Sequence, residues 1–198
     1  ADALKPFGNL LPDASSIQPT RFAGAELSSL HQQIQSALIA FKAGVSIAAD
    51  VVETGYDTHS NQDRDHEPLL VNSIDAIDYL WTYAEELGLA DRLVVLIGTD
   101  FGRTPFYNGT GGKDHWPIGS TVVMERNVEF TNRALGETDE GHNAKNINPD
   151  TLLVDNINGV GIKPAHVHKA LRRYLGFENS EITQRFAFNN IEDFNFFG

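Results

Sequence analysis

The run RLVVLIGTD, residues 92–100, decides the fold. Its centre is apolar and β-branched with no polar alternation, the pattern of a strand buried on both faces. Two further runs share the character: VSIAADVVE at 45–53 and STVVME at 120–125. Between the first two lies a helical period, Leu70, Ile74, Ile77, Trp81, Ala84 and Leu87, with Pro68 suited to a first helical position and Gly88 to a stop. Before them, Leu27, Leu30, Ile34, Leu38 and Phe41 predict another helix ending near Gly44. Pro164 opens a last helix through Leu175. Helix, strand, helix, strand, strand, helix reads as α/β with a parallel core sheet.

The 198 residues are read as one domain over 1–198, with an irregular lead-in at 1–24 and a loop-rich excursion at 126–160 that has room for short hairpins. The tail 176–198 holds six Phe and is expected to pack down. A net charge of −12 argues against nucleic acid and anionic membranes as partners, because both need clustered Lys and Arg. Cysteine is absent, which excludes disulfides, zinc–thiolate sites and a thiol nucleophile. No apolar run reaches the ~18 residues of a membrane span, and ADALKPFG at the start carries no signal pattern.

In a parallel sheet, ligands gather at the carboxyl ends of the strands. There the sequence sets its polar clusters. GYDTHSNQDRDH at 55–66 places Asp57 and His59 two apart, on one side of an extended segment, with His66 seven further on. Carboxylate oxygen and imidazole nitrogen together suit zinc, manganese or iron. The plainer alternative is a hydrogen-bonded loop in which Asp57 and Ser60 cap turns. Asp100 ends the second strand, and Arg103 offers a planar fork for phosphate or sulfate; equally, Asp100 caps its turn and Arg103 pairs with an acid. The DFG at 100–102 is not a kinase signature, since the Gly-rich ATP loop, catalytic loop and APE are missing.

NGTGGKDHW, residues 108–116, supplies glycines for a close backbone approach of the kind anions exploit, Lys113 for positive charge, and His115 to complete a set with Asp57 and His59. His166 and His168 read as packing or surface residues, His31 as solvated on the polar face of the first helix, and His142 as surface loop.

Taken together, DTHSNQ, DFGRTP and NGTGGKDHW, followed by GETDEGHNAKNINP and HVHKALRRYLGF, resemble the domain-of-unknown-function 1501 family within the alkaline phosphatase and sulfatase superfamily, over about residues 25–185. The resemblance implies a three-layer α/β/α sandwich around a mainly parallel sheet, and an exported, periplasmic protein of the kind carried by a twin-arginine signal. It implies phosphate- or sulfate-ester hydrolysis at a one- or two-metal site. By position, Asp57, His59 and His115 would hold one divalent metal, zinc first, with manganese or iron as alternatives. Asp100 would belong to a second metal or act as general base. Arg103 and Lys113 would hold a small anionic ester for attack by water.

The pattern is incomplete. Phe101 stands where the superfamily follows its second Asp with a ligating His. The nucleophile and first metal-binding Asp of the superfamily come from an earlier strand, and Ser28, Ser29 and Ser36, on a helix, are poor substitutes. The chain thus resembles the C-terminal half of a member. A half-sheet exposes an open edge, so a homodimer or docking to a missing N-terminal segment is expected. A non-catalytic member that binds a ligand or partner is the alternative, and purely structural polar networks are a third.

Overall fold

The computed structural model describes residues 18–198. Most of the sequence's irregular lead-in therefore lies outside the described residues. The chain divides into two compact units, the first ending with Asn127 and the second beginning with Val128.

In the first unit, two helices carry the core. Helix α1 spans Ser29–Lys42 and α2 spans Gln62–Glu86. Ser28 caps α1, its hydroxyl facing the His31 backbone N–H and lying 2.7 Å from His31 Nδ1. Both helices stop as their glycines predict. The N–H groups of Gly44 and Val45 return to the carbonyls of Phe41 and Ala40, and those of Gly88 and Leu89 to Glu85 and Ala84. This paired closure needs a left-handed residue, and both glycines have φ +68°.

Ile34, Leu38 and Ile39 of α1 pack on Ala76, Tyr79, Tyr83 and Ala84 of α2, closed below by Leu89 and Ala90. The buried stripe of α2 is therefore centred on 76, 79 and 83. Leu70 and Ile74, which the apolar period places on the core face, stand exposed instead. The helix has more apolar positions than one partner helix covers, and the small Ala76 and planar tyrosines allow the closer approach. Pro68 also sits inside α2 rather than at its start. The helix begins a turn and a half earlier, and its ring removes one backbone donor in the second turn. His31 is buried, not solvated. It lies edge-on to Tyr79 at 5.2 Å and bonds Asp75 through Nε2 at 3.1 Å.

The strands overturn the expected architecture. Among the described residues there is no parallel sheet and no three-layer sandwich. Strand β1, Val95–Ile97, pairs antiparallel with β4, Val122–Met124; β2, Gly102–Arg103, pairs antiparallel with β3, His115–Trp116. The apolar run at 92–100 does form a strand, but only three residues of it are paired, and Leu96 is 40% exposed. Composition favours strand without saying which partner arrives or in which direction. The run at 45–53 forms no strand. Its Val52 is bonded on both polar groups by one side chain: Gln33 Nε2 donates to the carbonyl at 2.9 Å, and the Val52 N–H donates to Gln33 Oε1 at 3.0 Å. A glutamine amide here takes the place of a neighbouring strand, while Ile47 and Val52 remain open to solvent. The notion of two ligand sets delivered by two neighbouring parallel strands falls with the sheet.

The second unit contains α3, Pro164–Tyr174, and α4, Glu181–Arg185. Its loops include a short hairpin, where Thr138 bridges Ala144 and the Asp139 carboxylate accepts from the Gly141 and Asn143 N–H groups. Ile147 pairs with both Val154 and Val160 and is buried with Ala170, Phe194 and Phe196. Two of the six tail phenylalanines thus anchor this core, whereas Phe177 and Phe186 stay exposed. His166 is a packing residue. Its Nδ1 accepts the Lys163 N–H at 2.9 Å, Nε2 meets Glu192 at 3.0 Å, and the ring lies on Phe194. His142 is exposed in the hairpin turn.

Candidate metal centre

The segment before α2 is wound tightly. The N–H of Thr58 returns to the Tyr56 carbonyl and that of His59 to the Asp57 carbonyl, each a three-residue turn. This brings Asp57 and His59 to the same side, with Asp57 Oδ1 3.0 Å from His59 Nε2. The Gly-rich loop then closes over them. Ser60 bridges Gly111, the Lys113 N–H donates to the Thr58 carbonyl, and Thr110 Oγ1 donates to the His59 carbonyl at 2.8 Å.

Gly112 explains the glycine run. A Cβ there would lie 2.0 Å from the His59 carbonyl carbon and 2.2 Å from the Ser60 nitrogen. At Gly112 the close approach that glycine permits is made to the protein's own backbone. It delivers His115, the first residue of β3, to within 3.1 Å of both His59 Nε2 and Asp57 Oδ1 through its Nε2.

Asp57 Oδ1, His59 Nε2 and His115 Nε2 thus form a nearly equilateral triangle with edges of 3.0–3.1 Å. Three lone-pair atoms this close repel unless a proton or a cation lies among them. Bonds of about 2.1 Å would separate donor atoms by about 3.4 Å around a tetrahedral ion and about 3.0 Å around an octahedral one. The donor set suits a divalent ion such as zinc, manganese or iron, and the edges of 3.0–3.1 Å match the octahedral separation. Among the described residues this is the one group of three or more such side chains whose ligand atoms converge within 4.8 Å. All three are exposed, as in sites that bind metal through three protein ligands and leave a position open.

Each of the three side chains is braced. Arg103, in β2 and only 12% exposed, bonds Asp57 Oδ1, the Tyr56 carbonyl and the Lys113 carbonyl, tying both loops together. The Asp57 carboxyl is held down to about 2, first by the hydrogen bond from Arg103 and then by that from His115. His59 Nδ1 meets Asp114 Oδ1 at 3.1 Å, and Asn108 Nδ2 donates both to that oxygen at 3.0 Å and to the His59 carbonyl at 2.9 Å. These contacts, Asn108 foremost, hold Asp114 below the ordinary carboxylate range. Phe101 stacks on the His115 ring at 3.9 Å between centroids.

Of the sequence-derived site residues, then, Asp57, His59 and His115 come together. Arg103 is beside them with its donors engaged by protein groups. Lys113 lays its ammonium over the Tyr107 ring at 5.0 Å. Asp100 is exposed at the turn after β1 and is not among the converging ligand atoms. His66 lies off the triangle, edge-on to Tyr56, where burial lowers its basicity. The Asp57 carboxylate serves Arg103 and the histidines rather than capping a turn. Sequence reading missed Asp114 and Asn108, although both sit in the quoted NGTGGKDHW. Asp114 is adjacent to His115 in the chain but serves His59, and only the folded loop shows that exchange.

Residues 19–173 match the family described as protein of unknown function (DUF1501), and the chain belongs to that family. No curated protein and no solved structure matches it. Within the described residues, no helix is long and apolar enough to cross a membrane.

Proposed function

We propose that the chain is a metal-dependent, hydrolase-like protein whose Asp57, His59 and His115 hold one divalent cation, zinc before manganese or iron, and whose substrates are small phosphate or sulfate esters. The observation that carries the reading is the solvent-open triangle of ligand atoms. A buried, four-ligand arrangement would speak for a structural ion; three exposed ligands leave room for water and substrate. The choice of ester rests on the motif resemblance to the alkaline phosphatase and sulfatase superfamily, as does an exported location. Among the described residues there is no parallel sheet of the kind that resemblance implied, so the triad rather than the scaffold supports hydrolysis.

When bound, the cation supplies Lewis acidity, polarising an ester oxygen and acidifying water. The protein's own residues do the positioning. Arg103 fixes the Asp57 carboxylate in its ionised form, Phe101 sets the plane of His115, and the open face admits the ester. Lys113, whose ammonium rests on a ring and not on a carboxylate, is the cation best placed to swing toward an anionic group.

The engagement of Arg103 by Asp57 and two carbonyls favours a second reading, in which the chain binds metal and a ligand without turnover. The same experiment separates the two. Elemental analysis of the purified chain, with His59→Ala and His115→Ala beside it, is expected to give one divalent ion per chain in the wild type and loss in both variants. Aryl phosphate and aryl sulfate hydrolysis that disappears with the metal supports the enzyme. Bound metal with no hydrolysis supports the binding protein. No stoichiometric metal after reconstitution removes both.

A further inference from the structure

We propose that Asp114, braced by Asn108, is the positioning residue that holds His59 in the one tautomer able to ligate a cation at the Asp57–His59–His115 triangle; this rests on the metal reading above. A neutral imidazole carries one proton and two ring nitrogens, and only the unprotonated nitrogen can donate a lone pair to a metal. His59 Nε2 faces the triangle, 3.0 Å from Asp57 and 3.1 Å from His115; to ligate a cation there it must be unprotonated, which puts the ring's proton on Nδ1. Asp114 Oδ1 lies 3.1 Å from that Nδ1. An ionised carboxylate is acceptor only, so this contact is an Nδ1–H donating to Asp114.

Asp114 is itself fixed. Asn108 Nδ2 donates to the same Oδ1, and its Oδ1 accepts from the Gly112 and Thr110 N–H groups, so the brace is anchored in the loop that crosses His59. The Asp114 N–H is taken by Thr104 Oγ1 at 3.2 Å. His115 has a different support, the face of Phe101, and Asp57 has Arg103. Asp114 therefore acts on one ligand of the three. A carboxylate behind a ligating histidine typically raises metal affinity 10–100-fold by fixing the ring and its tautomer.

The test uses the full chain with zinc, its affinity read by competition with a chromophoric chelator, and long-range proton–nitrogen NMR of the histidine rings. In the wild type, His59 is expected to show the Nδ1–H form before zinc is added. Asp114→Ala is expected to mix the two tautomers and to weaken zinc binding by about 10–100-fold. Asp114→Asn keeps an acceptor at the same place, so the tautomer persists and zinc binds more tightly than in Asp114→Ala but less tightly than in the wild type. Unchanged affinity in Asp114→Ala, or weakened binding with the His59 tautomer unaltered, overturns the proposal while the metal reading stands. If Asp114→Ala does not fold, equal affinity in Asp114→Asn and wild type overturns it. A wild type that binds no zinc brings down both readings at once.

Discussion

Asp57 is an exposed carboxylate whose acidity is set by its partners. Arg103 and then His115 bond its charged form and lower its pKa from 3.8 to about 2. A depressed folded-state value gives stability that is fully present above the unfolded pKa and lost as pH falls through the folded one. The contribution therefore disappears between about pH 4 and about pH 2. Arg103→Gln removes the leading cause, so we expect the acid limb of the urea-midpoint profile to flatten in that window. An unchanged limb would mean that Arg103 does not hold Asp57 in solution. Residue-scale reading of the sequence found the triad because residue type is visible in one dimension. It left Arg103 with two partners, an anionic substrate or an acid, because a guanidinium offers the same fork to phosphate as to carboxylate. Which it meets is decided by the loops at 55–59 and 113–115, far apart in the chain.

At the scale of elements, helices were legible and sheets were not. A helix closes its hydrogen bonds locally, so a 3.6-residue period and the stops at Gly44 and Gly88 located α1 and the end of α2, although α2 starts at Gln62 rather than at Pro68. A strand is completed by a distant partner, and neither VSIAADVVE nor RLVVLIGTD states who that partner is. The face of α2 was a subtler miss. Its period through Leu70 and Ile74 is real, but α1 covers the neighbouring stripe through Ala76, Tyr79 and Tyr83. Packing predicts a sharp contrast. Leu38→Ala, which empties a buried position in this interface, is expected to cost about 2–5 kcal/mol. Ile74→Ala, on the open stripe, is expected to stay within about 0.5 kcal/mol. Chemical denaturation of the two variants measures it, and a comparable loss for Ile74→Ala would show that this stripe is covered.

For the whole molecule, the dominant field is that of a net charge of −12. It favours the approach of a cation and opposes that of an anionic ester. Raising ionic strength from about 0.01 M to about 0.1 M shortens the screening length from about 30 Å to about 10 Å. Zinc affinity and its association rate are expected to fall over that range, a trend that titration at a series of salt concentrations will reveal. Salt-independent binding would mean that only the triad's immediate groups attract the ion. All seven residues of the site and its braces, Asp57, His59, Phe101, Arg103, Asn108, Asp114 and His115, belong to the first compact unit.

The crossing of Gly112 over His59 is a contact of main chain with main chain. No side chain at 57, 59 or 115 is needed to make it. Frame and chemistry are therefore separable in descent. Changes at 57, 59 or 115 would alter or remove the proposed ion's site and leave the crossing in place, while a change at position 112 would cost the loop itself. Among relatives that keep this crossing, glycine at 112 should outlast the histidines.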